Sequence, residues 1–371
     1  MPTADEISPT IPPAPSPFTM IDLFAGCGGL TTGFTSTGRF ESVAAVEFDL
    51  AAAATFAANF GEQHTHWGDI NEWVKGDIPS ADLIVGGPPC QGFSNLGARR
   101  TTDPRNILWR RYVDTIVAAQ PKAFVLENVD RFAASFEFQR LQSETAPGNR
   151  LSDYRLDMHI VRATDFGAAQ LRRRTIVIGT HRDIEQIHVP RERIPATDWI
   201  TVRDRIGDLP QHIDPNHKEL PASTTEVFGM TVPGVFKSTD LHVTRHYTDL
   251  SLQRFEYIRE GENRLSLPDS LKAPCWIGHD TGSLDVMGRV HWDKPSVTIR
   301  TEFFKPEKGR YLHPEQPRAL SHLEAARLQG FPDDFLWCGT KLQIARQIGN
   351  AVPVPLARGL AEHVASGLSG T

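Results

Sequence analysis

Cys90 and Glu127 each follow a short apolar run, an arginine pair at 172 and 174 leads into another, and together they offer a nucleophile, an acid and a cationic hold. Cys90 lies in GGPPCQGFS, Gly86 to Ser94, directly after the run Asp82 to Val85. The two prolines before it fix φ at about −65° and remove two backbone donors, so the thiol is held in one orientation, as a positioned nucleophile requires. A lone cysteine also serves as a small buried hydrophobe, so the reading depends on company. Glu127 follows the run Lys122 to Leu126. On a neighbouring strand end it would be a solvated cap if alone and an acid if it shares a crevice with Cys90. In QLRRR, at Gln170 to Arg174, strand spacing puts Arg172 and Arg174 on one face opposite Arg173. That pair suits an anion or a polar ring, or else forms a basic edge that discourages aggregation.

A second constellation lies upstream. The run FTMIDLF from Phe18 ends in AGCGGL, and a helical pattern continues through Phe34. Strand, glycine turn and helix form a nucleotide-binding opening in which Gly26, Gly28 and Gly29 admit a ligand to the backbone and to the helix N-terminus. The strand Ser42 to Glu47 then delivers a carboxylate about 20 residues later, the spacing at which an acid accepts from ribose hydroxyls. After a helix over Leu50 to Phe60, Asp69 in Gly68-Asp69-Ile70 ends a third strand within reach of an adenine amino group.

The elements that must position these residues alternate strand and helix up to TIVIGT, giving an α/β fold with a mostly parallel, doubly wound sheet. After about Arg182 the alternation stops. Prolines, glycines and histidines dominate to about Pro317, with β-like pieces at Arg289 to Trp292 and Ser296 to Thr301. Phe236, Lys237, Arg245, His246, Tyr247, Trp292, Lys294, Arg300, Lys305, Lys308 and Arg310 are scattered through this part in a manner compatible with contact to nucleic acid. A helix opens with a capping box from Ser321 to Glu324 and stops at Pro332, and Gln347 to Gly359 reads as a small-residue turn entering a closing helix.

Composition bounds the rest. The 371 residues are 40% hydrophobic and 23% charged, ordinary globular values, without an eighteen-residue apolar run. The Pro- and Ser-rich residues 1–17 lack a signal peptide's basic start and apolar centre and read as a disordered tail. Four dispersed cysteines without a C-x-x-C pair argue against a zinc site and a disulfide framework, and for a reducing cytosol. A net charge of −6 weighs against nucleic acid, but Leu96 to Arg111 holds Arg99, Arg100, Arg105, Arg110 and Arg111 against Asp103 alone.

The ordered set DLFAGCGG, Glu47, GDI, GPPCQGFS, ENV, QLRRR, RALSHLEAARLQGFPDDF and QIGNAVP resembles the bacterial DNA (cytosine-5) methyltransferases over nearly the whole chain after the tail. The resemblance implies a Rossmann-like methyltransferase domain of residues 18–182 plus 340–371, and a smaller, irregular, β-rich target-recognition domain with hinge over 183–339. It implies S-adenosylmethionine as cofactor and S-adenosylhomocysteine as product. Cys90 would add to ring carbon 6 of a flipped cytosine, because carbon 5 is too poor a nucleophile without that addition. Glu127 would hydrogen-bond ring nitrogen 3 and the exocyclic amine, and Arg174 with Arg172 would hold the base carbonyl and support the thiolate. The cofactor would meet Phe24, Ala25, Gly26, Gly28 and Gly29, then Glu47, Phe48, Asp69 and Ile70, and finally Pro89, Leu108, Asn350 and Ala351. Gln91, Ser94, Arg99, Arg100 and Arg105 would meet DNA, the arginine segment closing as a mobile loop. Double-stranded DNA is the expected partner of a cytoplasmic, nucleoid-associated monomer, with a cognate restriction endonuclease or defence protein left open. A tRNA cytosine-5 methyltransferase and a non-catalytic DNA-binding regulator are the alternatives.

Overall fold

The computed structural model describes residues 16–89, 108–278, 281, 282 and 284–370. Thus the tail to residue 15, and the expectations placed on Cys90, Gln91, Ser94, Arg99, Arg100 and Arg105, lie outside the described residues.

The first half builds one sheet. Strands β1 (Phe18–Leu23), β2 (Phe40–Glu47), β3 (Thr65–Trp67), β4 (Leu83–Gly86), β5 (Ala123–Val129), β6 (Tyr154–Arg162) and β8 (Arg173–His181) stand in the order β3-β2-β1-β4-β5-β8-β6. All neighbours pair in parallel except at β8, which is antiparallel to both β5 and β6. The chain leaves β1 first toward β2 and later returns to its other side as β4, so a topological switch point opens at their carboxyl ends. Ile21, Leu23, Leu83, Ile84, Val85, Phe124 and Val125 are fully buried, as expected of strands covered on both faces.

Helices α1 (Gly29–Thr35), α2 (Leu50–Phe60), α3 (Ile70–Trp73), α4 (Leu108–Ala119) and α5 (Phe136–Glu144) connect these strands. The alanine-rich α2 coincides with the helix predicted there, opened by Asp49, whose side chain accepts from the Ala52 amide at 3.0 Å. The remaining elements are β7 (Gln170–Leu171), α6 (Val202–Ile206), the hairpin β9 (Thr224–Val227) and β10 (Met230–Pro233), β11 (Phe236–Lys237), α7 (Asp249–Tyr257), β12 (Ser296–Val297), α8 (His322–Gln329), β13 (Leu336–Trp337), α9 (Lys341–Asn350) and α10 (Val354–Ser369). Among the described residues, no helix is long and apolar enough to cross a membrane.

Several sequence expectations shift. Gln347 to Asn350 is the last turn of α9, not a turn preceding a helix, because the capping box of Thr340 and Gln343 starts that helix earlier. Helix α8 ends at Gln329 and is capped by Gly330 in the left-handed region, ahead of Pro332. Of the β-like pieces, only Ser296–Val297 forms a strand, parallel to β7, and Arg289 makes an isolated bridge to Leu312.

Packing does not break at residue 183. Ile187 and Val189 share a core with Leu83, Val125, Leu356 and Leu360, and Val202, Ile206, Phe236, Trp292 and Ile299 join Leu323, Ile344 and Val354 in another. A self-contained small core lies between 247 and 312, around Phe255, Ile258, Leu267, Met287 and Leu312. Helix α10 brings the chain's end back to the first strands: Leu356, Leu360 and Val364 are fully buried there, each contributing about 1.5–3 kcal/mol.

Candidate active site

A cleft of about 920 Å³ opens at the carboxyl ends of β1, β2, β4 and β5, roofed by the segment after β12 and by α9. Its size is at the upper end for a small-molecule site.

One end is built from β1 to β3. Phe24, Ala25, Gly26 and Gly29 line it, and Phe24 has φ +58°, the one such non-glycine residue on the cleft among those described. A bulky side chain in that region stores strain of about 1–3 kcal/mol, a feature of residues fixed for a ligand. Glu47 accepts from the Gly26 amide at 2.8 Å and from the Asp49 amide at 2.7 Å. Burial raises its pKa above the ordinary carboxylate range in spite of those amides. Phe48 lies beside it, 74% exposed, an aromatic face offered to a planar ring. Asp69 and Ile70 complete this end, but Oδ1 of Asp69 is engaged as the cap of α3, accepting from the Asn71 amide at 2.8 Å.

Gly28 departs from expectation. It does not line the cleft: at φ +90° it turns toward α2, where an added Cβ would come within 2.5 Å of the Phe60 ring. Its job is to let α1 start tightly against α2. Beneath the turn, Asp22 is fully buried with Oδ2 accepting from the Thr31 hydroxyl at 2.7 Å, and burial, aided by Glu47, pushes its pKa to about 7. The Cys27 thiol is buried too, and burial pushes its pKa well up. A thiol so held is no nucleophile.

The other end is built from β4, β5 and β8. Pro89 lines the cleft one residue before the described chain breaks off, and Leu108 lines it where α4 begins. Glu127 does not follow its strand but sits within β5, opposite Ile176 of β8, and Oε1 lies 2.7 Å from Nε of Arg174. Arg174 also donates to the Arg173 carbonyl at 2.7 Å, while Arg173 points away to Asp130. Asn128, unremarked from sequence beyond its place in ENV, donates from Nδ2 to the Pro88 carbonyl at 3.0 Å and accepts from the Val129 amide at 2.9 Å. It ties the end of β5 to the proline loop that precedes Cys90.

Arg172 is 3% exposed, and its guanidinium donates to the carbonyls of Ile299 at 3.1 Å, Gly349 at 3.2 Å and Asn350 at 3.5 Å. Burial, and then the neighbouring Arg174, pull its pKa well down, a cost offset by carbonyls that include the carboxyl end of α9. The two arginines therefore differ: Arg174 faces Glu127, whereas Arg172 staples the late segments to the sheet. Gln170 reinforces the staple, donating to Gln329 Oε1 at 2.6 Å, and Gln329 donates onward to the Ile348 carbonyl. Asn350 and Ala351 line the cleft from this late turn. Sequence reasoning also passed over Gln343, Arg346 and Gln347 on α9, although their spacing with Asn350 marks a helix face.

Among the basic residues expected to meet nucleic acid, Arg111 is engaged by Asn71 at 2.7 Å and Asp114 at 2.6 Å. Phe236 and Trp292 are core residues.

A doubly wound sheet whose switch point carries a ribose-suited acid, facing a carboxylate–arginine pair and a proline loop, defines a Rossmann-like methyltransferase. The model of C-5 cytosine-specific DNA methylases matches residues 18–366, and the chain belongs to that family. It is 32% identical to the Type II methyltransferase M1.HphI of Haemophilus parahaemolyticus, over 93% of this chain and 86% of that protein, and 30% identical to M.DdeI of Desulfomicrobium norvegicum, over 93% and 88%. A prophage-encoded E. coli protein, described as a DNA modification methyltransferase, has a crystal structure that superimposes with a TM-score of 0.70 at 26% identity, covering 95% of this chain and 99% of that one. The Dnmt2 methyltransferase of S. pombe shares the fold, with a TM-score of 0.54 at 16% identity. The chain is thus a DNA (cytosine-5) methyltransferase whose methyl donor is S-adenosylmethionine. The observed cleft fits that donor, with half-buried Glu47 for hydroxyls, exposed Phe48 for a purine and space left beside Glu127 for a base.

Proposed function

We propose that this chain methylates cytosine within a specific duplex sequence, with Cys90 as nucleophile, Glu127 and Arg174 as the groups that hold the ring, and Arg172 as the residue that positions the roof. The single observation that carries this reading is the Glu127–Arg174 pair at 2.7 Å on the cleft wall, beside the proline loop that Asn128 secures.

The chemistry explains the parts. The Cys90 thiolate adds to ring carbon 6, forming a sulfur–carbon bond and placing an electron pair at carbon 5. Glu127 meets ring nitrogen 3 and the exocyclic amine, where charge changes during addition, and Arg174 holds Glu127 in place and takes the base carbonyl. Bound S-adenosylmethionine supplies a methyl on a positive sulfur, which carbon 5 accepts. The carbon 5 proton then leaves to a base, and the pair it releases restores the ring double bond as the Cys90 sulfur departs. Residues Phe24, Gly26, Glu47, Phe48, Asp69, Asn350 and Ala351 hold the cofactor. The target atoms of a stacked cytosine are out of reach inside a duplex, so the base enters the cleft only when it is swung out.

The Type II names of the relatives support a role in restriction and modification, with a nuclease acting on the same sequence. Incubation with labelled S-adenosylmethionine and either duplex DNA or tRNA, alongside Cys90→Ala, tests the reading. Label in duplex DNA alone, lost in the variant, is expected; label in tRNA alone, or in neither, contradicts it.

A further inference from the structure

Resting on the methyl transfer to duplex DNA proposed above, we infer that the Arg300 guanidinium clamps a backbone phosphate of the strand carrying the target cytosine. The residue stands on a segment that is unusually well fixed. Thr298 donates to the Leu171 carbonyl at 2.8 Å, Tyr311 donates to the Thr298 carbonyl at 3.0 Å, and the Ile299 carbonyl accepts from Arg172 at 3.1 Å. From the α9 side, Gly349 packs so closely that an added Cβ would lie 2.3 Å from the Thr301 amide nitrogen. Alternation along this segment puts Ile299 in the core, 0% exposed, and leaves Arg300 exposed on the cleft.

Yet the guanidinium on this rigid support makes no hydrogen bond or ion pair with a described residue, its charge being felt only by the neighbouring Tyr311 hydroxyl, whereas several other basic residues of the region are tied down. Lys305 and Lys308 are held by Glu302, Arg245 donates to the Phe304 carbonyl, and Arg310 donates to the Gly261, Glu262 and Arg289 carbonyls and meets Asp285.

Charge along the cleft says what Arg300 awaits. Glu47, Asp49 and Asp69 stand at the cofactor end, whereas Arg172, Arg174 and Arg300 stand with Glu127 as the one carboxylate, and Arg346 of α9 adds a further positive charge to the lining. Cytosine is neutral and cannot balance that excess, but the phosphodiester that enters with it can. The donor's carboxylate is the other anion available. Arg300, however, follows Ile299, whose carbonyl is held by Arg172, and the charges felt by Arg172 are those of Arg174 and Glu127, the pair assigned to the base. Arg300 is therefore a positioning residue: it holds the strand while the base is inside.

The test uses the whole protein and the duplex sequence found methylated when DNA from cells expressing it is mapped for 5-methylcytosine. Single methylphosphonates, which remove one backbone charge, are placed around the target, and DNA affinity is measured over a range of NaCl with S-adenosylhomocysteine present. Arg300→Ala is expected to bind about tenfold more weakly and to lower the salt slope by about 1. One methylphosphonate should weaken the wild type and Arg300→Lys but leave Arg300→Ala unaffected. Affinity for S-adenosylhomocysteine should be equal in all three. An unchanged salt slope, undiminished methylphosphonate sensitivity in Arg300→Ala, or loss of S-adenosylhomocysteine binding there overturns the assignment while DNA methylation stands. A wild type that neither binds nor methylates any duplex overturns that reading and the clamp together.

Discussion

At the scale of the residue, chemistry and support are separable. Glu127→Gln keeps the shape of the side chain but cannot carry the charge changes of addition, so single-turnover methyl transfer should slow by about 10²–10⁴-fold with cofactor affinity preserved. Equal slowing by loss of cofactor binding would assign Glu127 to the fold instead. Asp22 makes a different prediction. Its folded pKa is raised to about 7 by burial, so its neutral form is the one the fold favours. The stability it contributes is complete below about pH 4 and is lost as pH rises through about 7. Denaturant titrations between about pH 5 and pH 9 should show the wild type losing stability upward, and Asp22→Asn losing less. Asp22 and Glu47 were both visible as residues, but no local pattern reports that Asp22 is sealed beneath the turn while Glu47 reaches the cleft, or that Arg172 is buried as a staple while Arg174 faces Glu127.

At the scale of the element, the late helices hold the roof of the site. Arg318 grips Glu324 through two bonds of 2.7 and 2.8 Å inside the core, and Glu324 also closes the capping box of α8 on Ser321. Burial is the largest single influence and works to raise the Glu324 pKa, but Arg318, His313 and the Ser321 amide together outweigh it and hold it at about 2. Glu324→Gln leaves a buried cation uncompensated and should cost about 3–5 kcal/mol in denaturant unfolding. Gly349→Ala drives a methyl into the Arg300–Thr301 backbone and should cost about 1–3 kcal/mol, with weaker DNA binding as the segment shifts. The capping box and α2 were legible because their signals are local. QIGN read as a turn because glycine and asparagine there carry turn propensity, while the close approach that demands glycine inside α9 comes from a segment 48 residues away, at Thr301.

At the scale of the whole molecule, the end of the chain completes the beginning. Helix α10 buries Leu356, Leu360 and Val364 against the first strands, so a chain ending at residue 353 should fail to show a cooperative thermal transition, and one that melts like the full chain would show that α10 is dispensable. A net charge of −6 coexists with a basic base end, which is why composition pointed away from DNA and the motifs toward it. The sheet and cleft were legible from alternation and strand-end residues, but the way 183–206 and 290–339 fuse with the body was not, since those contacts join distant segments with no period in common. The central claim is a covalent route through Cys90. A duplex bearing 5-fluorocytosine at the target denies the final step, because fluorine cannot leave carbon 5 as a proton does. With S-adenosylmethionine present, mass spectrometry of the digested product should find the methylated fluorocytosine strand bonded to Cys90; a duplex methylated at normal cytosine with no such adduct, or an adduct at Cys275, would contradict the account.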